Sequence, residues 1–451
     1  MLNYEYLCFM KLNKEILRLS IPAIISNITV PILGLSDTTI SGHLGSELYI
    51  GAIAVGTMMF NVVFWLFGFL RMGTTGMTAQ AYGAQDNDEC RKLLVRSCAS
   101  GLIIGVVILL LHIPIRWLLL LLISPEGQVA DYAADYFNIC ICGAPALLFN
   151  MAIMGWFLGV QNTVVPMIIS VSVNIVNIIL SLCFVFILDM GFRGVAYGTM
   201  ISNWVGVVIA LLYVIRFYKW RFPRICRTDF LQLSDMGRFF KVNTDIMFRS
   251  ACIMTVSLTV TSIGAQLGAL TLAANAIIMQ FFILFSYFMD GFAFSAEALS
   301  GKFVGAGDIQ NLKRVINRLL LWALCVASVF TIIYIVGYKF IVSFITNEDN
   351  VIEAVGEYSL WLKLIPIVTV AAFIYDGIYI GLTATRQMLI VTFLSAVVFL
   401  SICFIHPFGD SFIDLPQNHT LWIAFLTYLM MRGILLGLYT KRLVKNIVKS
   451  S

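Results

Sequence analysis

The chain has 451 residues, of which 60% are hydrophobic and only 12% charged, with a net charge of +5. A soluble protein carries about twice that share of charge, so a soluble globular fold is excluded. Apolar runs of about twenty residues, the length that crosses hydrocarbon, indicate an all-α polytopic membrane protein.

In chain order, twelve spans are predicted at roughly 16–39, 51–72, 95–119, 132–156, 163–187, 194–216, 244–266, 272–298, 315–337, 357–382, 387–406 and 420–440. Six fall in each half. Residues 1–15 then read as an amino-terminal tail, 16–216 as a first six-helix lobe, 217–243 as an inter-lobe linker, 244–440 as a second six-helix lobe and 441–451 as a basic tail. Basic residues crowd the tails, the linker and alternate loops, while Arg116, Arg193 and Lys339 are the basic residues of the opposite loops. That asymmetry places both termini in the cytoplasm. The positive charges lie along a membrane surface rather than in one groove, so no nucleic-acid partner is inferred. The cysteines form no CxxC and the four histidines form no HExxH, so no metal and no cofactor is expected. The chain also lacks a Walker motif and a GxSxG, which speaks against an ATP-driven pump and against an enzyme.

Charge within the spans is informative because a charged side chain at mid-membrane costs about 2.5–3.5 kcal/mol on insertion scales. In the first span, Asp37 follows Pro22 and Pro31, which interrupt the helix and let it bend. Desolvation in an apolar cavity favours the protonated form of an isolated carboxylate, so a bendable helix with one acid suits a proton switch. The alternative is an exposed Asp near His43. The second span holds Arg71 and the fourth Tyr136. On the fifth span Ser170, Asn174, Asn177 and Ser181 fall on one helical face, either as glue between helices or as a cavity lining. The sixth span adds Thr199. The seventh carries Thr255, Thr259, Ser262 and Gln266 as a matching stripe. Asp290 and Glu297 share a face of the eighth span, and Asp376 lies midway along the tenth. Lys363, Arg249 and Arg432 are expected to snorkel near span ends.

The chain is also written twice. Gly68–Asp86 (GFLRMGTTGMTAQAYGAQD) and Asp290–Asp308 (DGFAFSAEALSGKFVGAGD) both end in Gly-Ala-X-Asp and lie 222 positions apart. Tyr136 and Gly159 match Tyr358 and Gly381 at that offset. Parallel halves of this kind are a plan used by secondary transporters.

Together with Gly34-Leu-Ser-Asp37-Thr-Thr-Ile-Ser-Gly-His-Leu-Gly45, Phe69–Gly83, Asp290–Gly301 and Asp376–Gly381, the chain resembles the multidrug and toxic compound extrusion (MATE) transporters, and within them the DinF-like branch. The resemblance implies two pseudo-symmetric six-helix lobes around a cleft that opens alternately to each side. It implies export of amphiphilic, often cationic small molecules against H⁺ or Na⁺. It makes Asp37 the protonation switch and Pro22 the bending point, and it draws Asn177 and Thr199 into the same network. Relatives often carry Asn-X-X-X-Asp on the fifth span, where this chain has Asn177 and Ser181. The missing second acid favours H⁺ in the first lobe, while Asp290, Glu297 and Asp376 keep Na⁺ open. Arg71, Tyr136 and Gln266 are candidate cleft residues. The expected setting is a bacterial inner membrane, with a monomer meeting lipid and small-molecule substrates. Two other readings are a lipid-linked oligosaccharide flippase, which needs a cationic cleft, and a non-transporting receptor, which needs no duplicated halves.

Overall fold

A computed structural model describes residues 2–44, 46–218, 233–405 and 416–450. Among them there is no strand, and twelve helices are long and apolar enough to cross a membrane: α1 (Lys11–Gly42), α2 (Glu47–Gly83), α3 (Asn87–Leu110), α4 (Gln128–Gly159), α5 (Val164–Ile187), α6 (Phe192–Tyr218), α7 (Phe239–Gln266), α8 (Ala269–Gly305), α9 (Ile309–Ile345), α10 (Ser359–Gly381), α11 (Thr385–Phe404) and α12 (Gln417–Lys445). Helices are the solution that hydrocarbon imposes on an apolar chain, because each satisfies its backbone polar groups internally. The third predicted span breaks at Leu111, after which a short helix runs His112–Ile123. Pro114 explains the break, since it has no N–H to donate and its ring clashes with the preceding turn.

The chain forms two compact units, Ile21–Asn243 and Met1–Ser20 with Thr244–Ser451. Each contains one copy of the repeat, and the turns show what the duplicated residues do. In Gly83-Ala-Gln-Asp86, Ala84 N donates to Gln80 O, Gln85 N to Tyr82 O and Asp86 N to Ala81 O. In Gly305-Ala-Gly-Asp308, Ala306 N, Gly307 N and Asp308 N repeat that pattern onto Lys302, Val304 and Phe303. The third residue turns left-handed in both, at φ 57° for Gln85 and 67° for Gly307. The Asp then caps the next helix, Asp86 accepting from Glu89 N at 2.9 Å and Asp308 from Asn311 N at 3.0 Å.

The 222-residue offset also governs helix packing. A Cβ on Gly155 of α4 would collide with the backbone of Arg71 on α2, and one on Gly377 of α10 with the backbone of Ala293 on α8. Gly159 lies against Thr78 and Ala79, Gly381 against Ser300 and Gly301. Each half therefore crosses its second and fourth spans through a Gly-X-X-X-Gly face, which lets backbones approach where no hydrophobic force drives helices together.

Three expected boundaries shift. Residues 16–20, read with the first lobe, cluster with the second unit. There Ile16, Leu19 and Ser20 are buried, Ser20 Oγ meets Ser295 Oγ at 2.7 Å, and Lys302 donates to Glu15 at 2.9 Å. Of the linker 217–243, residues 219–232 lie outside the described residues, while a helix is continuous over Leu233–Gln266. Phe239 is buried in the first unit with Met77, Ala81, Cys90 and Leu93. The basic tail continues the last helix, which runs Gln417–Ser450, with Val444 buried.

Candidate functional site

Each unit holds its own polar cluster, and the two differ in kind. In the first unit the helix bearing Asp37 is continuous over Leu2–Gly42, with Pro22 and Pro31 inside it. Each proline removes one rung of the hydrogen-bond ladder. Asp37 is half-buried, and its Oδ1 is buried with no hydrogen-bond partner. His43 contacts Thr39 O at 2.9 Å, within its own helix, and is not a cap shared with Asp37. Ile40, one turn beyond Asp37, packs with Ile53, Tyr136, Cys140, Val185, Phe192, Val195 and Ala196. That packing anchors the end of the helix that carries Asp37.

Tyr136 is 3% exposed. Its ring occupies the space a Cβ on Gly56 would take, and its hydroxyl accepts from Thr57 Oγ1 at 3.4 Å. Tyr136 is thus part of the packed cluster that holds Ile40. Asn177 donates to Thr199 Oγ1 at 3.2 Å and accepts from Ser181 Oγ at 3.1 Å, joining α5 to α6. Asn174 turns instead to Thr29 Oγ1 at 2.7 Å and ties α5 to α1. Thr29 went unnoticed in the sequence, although its place between Pro22 and Pro31 signals a hydroxyl at the weakened stretch of the helix. A Cβ on Gly198 would strike Ser181 Oγ, so Ser181 occupies a tight crossing where a larger acid has little room. Arg71 is half-buried, and its carbonyl accepts from Thr75 Oγ1 at 2.8 Å. Its backbone serves the α2–α4 crossing.

In the second unit Asp376 Oδ2 accepts from both Arg249 Nη2 and Arg432 Nη2, joining α10 to α7 and α12. Arg432 also donates to Tyr428 OH at 3.3 Å, and its guanidinium lies 5.2 Å from the centre of that ring. The three charged residues are 9%, 5% and 4% exposed. Arg249 and Arg432 therefore do not snorkel. Their charges are drawn inward because a carboxylate waits there, and a desolvated ion needs a partner. Glu297 is buried on α8 and Asp290 half-buried a further two turns away. The carbonyl of Glu297 lies where Gly381 approaches. Gln266 is exposed at the last residue of α7, not in a polar cluster, and Thr255 and Ser262 of its stripe are exposed as well.

Two helical lobes of six spans, related by a duplicated sequence and carrying buried charge, define a membrane transporter with internal repeats. The MatE family model matches residues 22–183 and again 246–405, one copy per half. The chain is 34% identical over 439 residues to the DNA damage-inducible protein F of Escherichia coli, covering 96% of this chain and 93% of that protein. It is 24% identical to a probable multidrug resistance protein NorM of Thermotoga maritima, covering 85% and 83%. Among solved structures, a MATE protein in its bent conformation superposes with a TM-score of 0.85 at 19% identity, and one in its straight conformation with 0.85 at 20%, each covering 97% of both chains. The chain belongs to the MatE family: it is a multi-pass membrane protein of the multidrug and toxin efflux transporters.

Proposed function

We propose that this transporter is a secondary-active antiporter that exports amphiphilic, often cationic small molecules against an inward flow of H⁺, with Asp37 as the protonation switch. The observation that carries this reading is the solitary state of Asp37: a carboxylate with one buried oxygen that no donor reaches, on a helix weakened by two prolines. Such an acid gains more from a proton than one already held by cations. Charged, Asp37 leaves room for a cationic substrate. Neutralised from the outside, it lets α1 bend near Pro22 and Pro31, and the binding site changes the side to which it opens. Asn174 couples that bend to α5 through Thr29, and Asn177 passes it to α6 through Thr199. Both termini lie in the cytoplasm of a bacterial inner membrane, in keeping with the basic loops, and the transporter works as a monomer. The bent and straight forms described for a MATE structure are the kind of pair this scheme requires.

The test is ethidium transport in everted vesicles, with the pH gradient and the Na⁺ gradient imposed separately. ΔpH-driven transport that falls to background in Asp37→Asn is the expected result. Transport that follows Na⁺ and survives Asp37→Asn removes Asp37 from the coupling step and moves attention to Asp290 and Glu297.

A further inference from the structure

The second unit contains a groove that the transport scheme does not use. A cavity of about 510 Å³ lies between the first turns of α9 and the last turns of α12, with Tyr375 of α10 beneath it. Its floor is apolar, formed by Ile316, Leu320 and Val444, and Gly437 keeps it open. A Cβ on Gly437 would stand 3.1 Å from the Tyr375 ring, so the glycine exposes a flat aromatic face to the groove. Asn317, Tyr375 and Thr440 supply hydrogen-bonding groups. Lys313 enters from α9, and Lys441 and Lys445, one turn apart on α12, enter from the other side.

Three features set these lysines apart from an ordinary basic helix end. They converge on one cavity from antiparallel helices. Among the described residues, no acid lines that cavity. All three are exposed, and among the described residues none of them forms an ion pair. Three like charges gathered around an apolar floor repel one another unless an anion joins them. The depth is that of the membrane surface: α9 has 37 residues, about 55 Å at helical rise, against a hydrocarbon core of about 30 Å. Its first turns therefore reach the headgroup layer. An occupant at that place meets three cations, hydroxyl and amide groups, and an apolar surface leading toward the acyl region. Basic pockets between membrane helices hold anionic headgroups by this combination.

We propose that this groove is a binding site for an acidic phospholipid, whose phosphodiester sits among Lys313, Lys441 and Lys445 while its glycerol and upper acyl chains lie on Ile316, Leu320 and Tyr375. The inference is independent of the coupling ion and of the exported substrate.

The experiment is native mass spectrometry of the detergent-solubilised full chain titrated with dioleoylphosphatidylglycerol or dioleoylphosphatidylcholine. Three variants accompany the wild type. K313Q/K441Q/K445Q removes the groove's charge, K11Q/K14Q/K241Q removes equal charge from exposed positions elsewhere, and Gly437→Leu fills the groove while keeping its lysines. The expected result is saturable binding of phosphatidylglycerol, weakened about 100-fold in the groove triple variant at the usual contribution of each basic residue. Gly437→Leu should also lose it, and the control variant should bind like the wild type. Equal uptake of phosphatidylcholine, equal loss in the control variant, or undiminished binding by Gly437→Leu would each overturn the proposal. So would displacement of the lipid by millimolar inorganic phosphate, which would make the groove a site for soluble anions instead.

Discussion

Asp37 and Asp376 are both carboxylates set in membrane-spanning helices, and each has a buried Oδ1 that no donor reaches, yet two guanidiniums converge on the other oxygen of Asp376 and, among the described residues, no cation pairs with Asp37. The sequence around them began as a duplication, and the position 222 residues beyond Asp37 is Thr259. The halves kept their crossings and turns and parted company in their charges. A solitary acid can change its charge with little disturbance to its surroundings. An acid that bridges three helices cannot, because each change leaves two buried cations unmatched. Duplication thus preserved the scaffold twice and let the two copies place charge differently, an acid without a paired cation in the first lobe and a tie between helices in the second.

The sharpest test of this contrast is to remove both acids and compare stability. Asp376→Ala should lower the unfolding free energy by about 3–5 kcal/mol, the cost of orphaning a buried ion pair. Asp37→Asn should change it by less than about 0.5 kcal/mol. Thermal unfolding in detergent reads both, and similar losses would abolish the distinction. The shared scaffold should respond alike in the two halves. Gly155→Leu and Gly377→Leu each force a side chain into a facing backbone and should cost about 1–3 kcal/mol, visible as matched falls in melting temperature. Asp86→Ala and Asp308→Ala each remove a helix cap and should cost about 1 kcal/mol apiece. The smallest effect should be asymmetric. Gln85 stands left-handed where the second half has Gly307, so Gln85→Gly should stabilise by up to about 1 kcal/mol and Gly307→Gln should destabilise by a similar amount.

Much of this is legible in the amino-acid sequence. The spans follow from hydropathy, and the duplicated Gly-Ala-X-Asp foretold a repeated structural unit because turn and cap residues are constrained locally. The Asn177–Ser181 contact also follows from helical spacing, and Asn177 with Thr199 from the family resemblance. The clamp on Asp376 was hidden for a physical reason. Its partners lie 127 and 56 residues away, and no periodicity within one helix links them. Arg249 and Arg432 read as snorkelling residues because a single helix reveals only its own faces. Gln266, read as a cleft candidate, ends its polar stripe at an exposed helix end. The break at Leu111 was available in Pro114 and was outweighed by the unbroken hydrophobicity around it.

The passage of the first helix from one unit to the other bears on how the molecule is made. Residues 16–20 leave the ribosome well before the rest of the unit whose surfaces bury Ile16, Leu19 and Ser20. More than two hundred residues of other structure must be synthesised and inserted before that stretch finds its resting place. The second half of the gene therefore cannot yield a finished lobe by itself. A polypeptide beginning at Thr244 would expose the seat of those residues, and supplying 1–20 as a separate peptide is the natural way to fill it.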